Sequence, residues 1–98
     1  MVIELIEFRL KPDIQEESFA VVVADITTFL RSLYGFRSRR LVKGDGDLWL
    51  DYVEWDSMDD ALQAVESFRR EPCAITFGRC VVPGSTVIRH FNVYHSVS

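Results

Sequence analysis

The chain reads as an α+β protein of βαββαβ order: a four-stranded antiparallel sheet, order 4-1-3-2, with two helices on one face. Three observations carry that expectation. Three short segments are rich in β-branched and aromatic residues and a fourth, basic one pairs with the third through a turn; two longer segments repeat apolar residues at helical spacing, and cap or turn residues stand at the junctions. Right-handed crossovers convert this order into the ferredoxin-like topology. At 98 residues a single domain, 1–98, is expected.

The first strand is VIELIEFRL (2–10), stopped by Pro12. Asp13 and Glu16 have the spacing of a capping box, and behind them Phe19, Val22, Val23, Ile26, Leu30 and Leu33 mark a helix over 13–34. Gly35 supplies the left-handed position that ends it. FRSRRLVK (36–43), the turn GDGD (44–47) and LWLDYVEW (48–55) form a hairpin. Ser57 with Asp60 caps a second helix whose buried stripe is Met58, Ala61, Leu62, Val65 and Phe68. Glu71-Pro72 breaks it, residues 73–79 read as a short helical turn, Pro83-Gly84-Ser85 as a turn, and TVIRHFNVYHS (86–96) as the last strand.

The sheet is apolar on both sides. In the third strand Trp49, Asp51, Val53 and Trp55 share one face, and Leu48, Leu50 and Tyr52 the other. An antiparallel sheet with one wet face alternates apolar and polar residues, and this one does not. Two helices cover one face, so a second copy of the chain is expected on the other, giving a homodimer through the sheet face.

Composition narrows the function classes. The chain is 48% apolar and 12% aromatic with a net charge of −4, which disfavours a nucleic-acid partner. Glu4 and Glu7 interrupt the first apolar run, and no run nears the roughly 20 residues that cross a bilayer, so no membrane association and a cytoplasmic location are expected. Cys73 and Cys80 have the spacing of neither a disulfide framework nor a zinc site and read as small buried hydrophobes. No metal site and no cofactor are expected. His90 and His95, five apart on a strand, face opposite ways.

With these elements in order, IEFRLKP (6–12), GF (35–36) and VEWDSMDDA (53–61) give the chain a resemblance to the dimeric α/β-barrel superfamily. Within it the likeness is to small proteins of the antibiotic biosynthesis monooxygenase type. The resemblance implies two ferredoxin-like subunits packed sheet against sheet, and a small hydrophobic molecule in a cleft between sheet and helices, lined by Trp55. Some proteins of this type are cofactor-free oxygenases of polycyclic phenols; others degrade haem, isomerise or decarboxylate. The haem-degrading type uses a His on the second helix, and residues 57–71 contain none. Tyr34 stands where a Pro usually precedes the Gly-Phe pair.

If Trp55 faces the helices, so do Trp49 and Asp51, and on the first strand Glu4 and Ile6. On the last strand His90, Asn92 and Tyr94 are assigned to the same side, leaving Arg89 to meet acids across the dimer. Phe68 and Phe77 close the cleft from the helices. Asp51 and His90 then approach it from opposite sides of the first strand and are the candidate catalytic pair. The imidazole would act as base toward a phenol or enol, and the carboxyl, its pKa raised by aromatic surroundings, would shuttle the proton. The alternative is that they bond each other or backbone in a wet cleft. Candidate ligand-binding residues are Trp55, Trp49, Glu4, Ile6, Phe68, Phe77, Asn92 and Tyr94. Arg37, Arg39, Arg40 and Lys43 read as edge-strand charges that discourage stray pairing, with steering of an anionic substrate as the alternative. Two functions follow: a cofactor-independent monooxygenase-like or isomerase-like enzyme on a small aromatic or enolisable substrate, or a non-catalytic, stress-associated dimer that holds a hydrophobic molecule.

Overall fold

The structure is a computed structural model describing residues 1–98. Its elements are β1 (Val2–Arg9), α1 (Glu16–Arg31), β2 (Phe36–Lys43), β3 (Leu48–Trp55), α2 (Met58–Phe68), α3 (Pro72–Cys80) and β4 (Val87–Asn92). The sheet order is β2-β3-β1-β4 with every neighbouring pair antiparallel, the expected ferredoxin-like arrangement. One expectation is corrected: there are three helices. Residues 72–80 make a full helix of their own because Pro72, which ends α2, is placed at the first turn of α3, where its missing N–H costs nothing.

Register decides which side chains meet. One row across the helix-facing side runs Arg39, Val53, Glu4, His90, and the next runs Leu41, Asp51, Ile6, Ile88. A bulge between Phe36 and Ser38 sets the first of these, since it turns Arg39 inward. Beneath the helices Val2, Phe8, Val53 and Trp55 are the most completely buried large side chains. Phe8 meets Phe19 edge-on at 5.9 Å and Phe77 at 5.0 Å, while Trp55 meets Phe36 at 5.7 Å. These are favoured edge-to-face geometries of the aromatic quadrupole.

Helix α1 buries Phe19, Val22, Ile26 and Leu30, a stripe at i, i+3, i+7 and i+11. It is shorter than 13–34 at both ends. Asp13 lies in a turn closed by Ile14 N–H to the Lys11 carbonyl, so the capping box does not form, and the cap position falls to Gln15, whose side chain makes no capping bond. At the far end Ser32 caps the helix, and Gly35 (φ +82°) reverses the chain. Its positive φ favours glycine, and a Cβ there would also run into the Asp60 side chain. Ser57 does cap α2, accepting from Asp60 N–H at 3.1 Å. The buried face of α2 is Ala61 and Ala64; Leu62, expected inside, is half exposed because it lies one position off that face.

After α3 the chain returns alongside β1. Lys11 N–H reaches the Cys80 carbonyl at 2.9 Å, Val82 N–H reaches the Arg9 carbonyl at 2.8 Å, and Leu10 bridges Val81. The last strand ends at Asn92 rather than residue 96, so Tyr94 and His95 lie outside the sheet. No helix is long and apolar enough to cross a membrane.

The sheet's other face carries Ile3, Leu5, Leu48, Leu50 and Tyr52, all partly exposed, with Val42, Val87 and Phe91 at 38 to 48% exposure. No helix covers it.

Candidate functional site

A cleft of about 120 Å³ opens between the sheet and α1, α2 and α3. Ile6 and Val53 form its floor, Ile26, Ala64, Phe68 and Phe77 its roof, and Ile88 and Thr86 its outer wall. Only Glu4, Asp51 and Thr86 bring polar side chains to it.

Glu4 is buried, and both its oxygens are engaged. Oε2 lies 2.7 Å from His90 Nε2, and Oε1 accepts from the Trp55 indole N–H at 3.4 Å. The two strands deliver this pair directly, since Glu4 and His90 are cross-strand neighbours. Burial pushes the Glu4 carboxyl above its ordinary 4.5. The His90 and Trp55 hydrogen bonds and the His90 charge pull it back, the Asp51 charge adds to the rise, and desolvation wins. His90 lies on an edge strand and keeps some contact with water, its side chain 16% exposed against 4% for Glu4.

Asp51 has a different partner. Arg39 Nε donates to Oδ1 at 2.9 Å and to Oδ2 at 3.0 Å, and Nη2 donates to Oδ2 at 2.7 Å. Arg39 Nη1 donates to the Val23 carbonyl at 3.0 Å and to Thr27 Oγ1 at 2.8 Å, tying β2 and β3 to α1. Both charged side chains are over nine-tenths buried. A guanidinium fork on a carboxylate is the geometry in which such a pair recovers its desolvation cost. No buried side-chain nitrogen or oxygen in the molecule lacks a partner.

Arg39 is therefore not one of the edge-strand charges it resembled in sequence. The signal that could have found it was the single-residue bulge, which no periodicity reveals. Nor do Asp51 and His90 meet: each is bound to its own partner, Arg39 and Glu4.

Of the other candidates, Ile6, Phe68 and Phe77 line the cleft with Glu4 and Asp51. Trp55 is fully buried beneath the cleft wall and reaches the site through its bond to Glu4. Trp49 packs away from it, edge-on to Phe19 at 5.4 Å with the Lys43 ammonium 5.7 Å from its ring. Asn92 pairs with Val2 at the sheet's edge and does not line the cleft. Tyr94 is fully exposed past the end of β4. Residues not among the cleft candidates complete the walls: Ile26 and Leu30 of α1, Ala64 and Val65 of α2, Thr86 and Ile88, of which the sequence marked Ile26, Leu30 and Val65 only as helix-stripe residues. No three His, Cys, Asp or Glu side chains converge as metal ligands. Cys80 is buried and Cys73 partly so, with burial and the nearby Glu71 charge pushing the Cys73 thiol up.

Solved structures share this framework over nearly the whole chain. A mutant of SnoaB, a cofactor-independent oxygenase from Streptomyces nogalater, superposes with a TM-score of 0.81 at 17% identity, covering 98% of this chain and 95% of that one. The fold is that of the antibiotic biosynthesis monooxygenase-like proteins. A putative antibiotic biosynthesis monooxygenase from Bordetella bronchiseptica superposes at 0.79 with 15% identity, covering 96% and 97%. The monooxygenase ActVA-Orf6 of Streptomyces coelicolor, bound to nanaomycin D, superposes at 0.69 with 13% identity, covering 99% and 90%. No protein-family model matches the chain, and no curated protein matches it by sequence.

Proposed function

We propose that this protein is a cofactor-independent, monooxygenase-like enzyme in which Glu4 and His90 move a proton out of an apolar cleft. The observation that carries this reading is the 2.7 Å contact between the cleft carboxyl that no arginine holds and an imidazole on its solvent side. Asp51, held by Arg39, adds to the rise in the Glu4 pKa, which raises the proton affinity of the Glu4 carboxylate. This division of two neighbouring carboxyls into one ion-paired and one of raised proton affinity is the usual basis of acid–base assignment. Support for the reaction class comes from structures of the same fold that are described as cofactor-independent oxygenases.

The chemistry asks little of the protein. A phenol or enol gives its proton to Glu4, and His90 passes it toward water. The electron-rich carbon beside the oxygen bonds dioxygen, and the outer oxygen of the resulting peroxide takes a proton to give a hydroperoxide. Loss of water, with that carbon's remaining hydrogen leaving as a proton, yields a carbonyl. One oxygen atom ends in product and one in water, and the substrate supplies all four electrons that reduce dioxygen. The apolar walls keep bulk water from the carbanion.

A second copy of the chain covering the sheet's bare face belongs to the same reading, supported by the partly exposed Leu50, the half-exposed Phe91 and their neighbours. The competing function is a binding protein whose cleft holds a hydrophobic molecule without turnover. Oxygen-electrode assays on a panel of single-ring phenols and enols separate the two. Glu4→Gln and His90→Ala are each expected to slow oxygen uptake by about 100-fold or more, the range of general acid–base catalysis, with binding nearly unchanged in His90→Ala. Absence of oxygen uptake by the wild type across the panel, with binding intact, selects the binding protein.

A further inference from the structure

We propose that the cleft selects a neutral molecule built on a single six-membered ring, its one hydroxyl or enol directed at Glu4, and that Phe68 and Phe77 set the size limit. The inference rests on the cleft being the substrate site and adds what that substrate must be.

Volume comes first. A cavity of about 150 Å³ walled by Leu, Ile and Phe takes benzene, and drug-sized ligands occupy about 300 Å³ or more. The cleft here is about 120 Å³, room for one ring and not for two fused rings. Its roof is not easily pushed back. Phe77 is braced edge-on against the fully buried Phe8 at 5.0 Å, and Phe68 lies between Phe77 at 6.4 Å and Phe29 at 6.0 Å. The braced aromatic wall resists extra carbon atoms as a packed core does.

Charge comes second. Two acids line the cleft and no cation faces it, because Arg39 spends its donors on Asp51, the Val23 carbonyl and Thr27. A carboxylate-bearing ligand would lose its hydration and meet negative charge. The polar anchor that remains is Glu4 Oε1, whose only partner is the long 3.4 Å bond from Trp55, leaving it able to accept from a ligand hydroxyl.

The test is calorimetric binding under anaerobic conditions of para-cresol, β-naphthol and para-hydroxybenzoate to the wild type, Phe77→Ala and Phe68→Leu. The wild type is expected to bind para-cresol at least about tenfold tighter than either competitor. Either enlarging variant is expected to bring β-naphthol to within about threefold of para-cresol while para-hydroxybenzoate stays excluded; Phe68→Leu carries the test if Phe77→Ala does not fold. Wild-type affinity for β-naphthol equal to that for para-cresol overturns the size limit. Equal affinity for para-hydroxybenzoate overturns the charge selection. If para-cresol binds selectively and no single-ring phenol is turned over, the selection stands and the catalytic reading falls. If none of the three binds, both fall.

Discussion

Glu4 sits between opposing demands: burial favours its protonated form, and His90 and Trp55 favour its ionised form. Because its folded pKa is raised, the fold is most favoured where Glu4 is protonated in both states, below about 4.5. As pH rises through 4.5 the unfolded chain releases the proton first, and this contribution is lost by the time the folded pKa is passed. Glu4→Gln removes that dependence. Its melting temperature is therefore expected to gain on the wild type between pH 4 and pH 8, measured by circular dichroism; a gap that is constant or shrinks over that range contradicts the assignment. Arg39 gives a second residue-scale prediction. Arg39→Met strands a buried carboxylate and is expected to cost about 3–5 kcal/mol in urea unfolding, whereas Arg39→Met with Asp51→Leu is expected to recover most of it. The sequence placed Glu4, Asp51 and His90 on one face correctly in kind, because strand periodicity fixes faces. It could not pair them, because pairing depends on register, and register depends on turns and bulges that period-two patterning does not encode.

At the scale of elements, the two longer helices begin differently. Ser57 satisfies an N–H of α2, whereas Gln15, in the extended conformation a cap needs (φ −75°, ψ 141°), makes no such bond. Ser57→Ala is expected to cost about 1 kcal/mol, and Gln15→Asp to stabilise by about 0.5–1 kcal/mol, helped by the helix dipole. Chemical denaturation of both variants checks the pair; no gain from Gln15→Asp means another group already serves that end. The S-x-x-D signal at Ser57 was legible because its local geometry is all that it needs. D-x-x-E at Asp13 misled, since the turn after Pro12 holds that segment outside the helix. Similarly, α3 reads as a mere turn when Pro72 is taken only as a breaker, although proline starts helices as readily as it ends them.

For the molecule as a whole, a sheet with helices on one side leaves a broad apolar face to be accounted for. The strand patterning already announced it: β3 carries apolar residues on both of its faces, and helices cover one. Pairing of two such faces is the expected outcome, and Leu50→Glu, at the centre of that face, is expected to leave single chains in sedimentation analysis at concentrations where the wild type is a dimer. A wild type that sediments as a single chain contradicts the pairing. On the proposed reading the two faces have separate roles, one for association and one for chemistry. Mapping of amide chemical shifts on titration with para-cresol tests that division most directly. The account predicts shifts concentrated at Glu4, Ile6, Val53, Phe68, Phe77 and Ile88; shifts concentrated instead at Leu5, Tyr52 and Phe91 would place the ligand on the opposite face and contradict it.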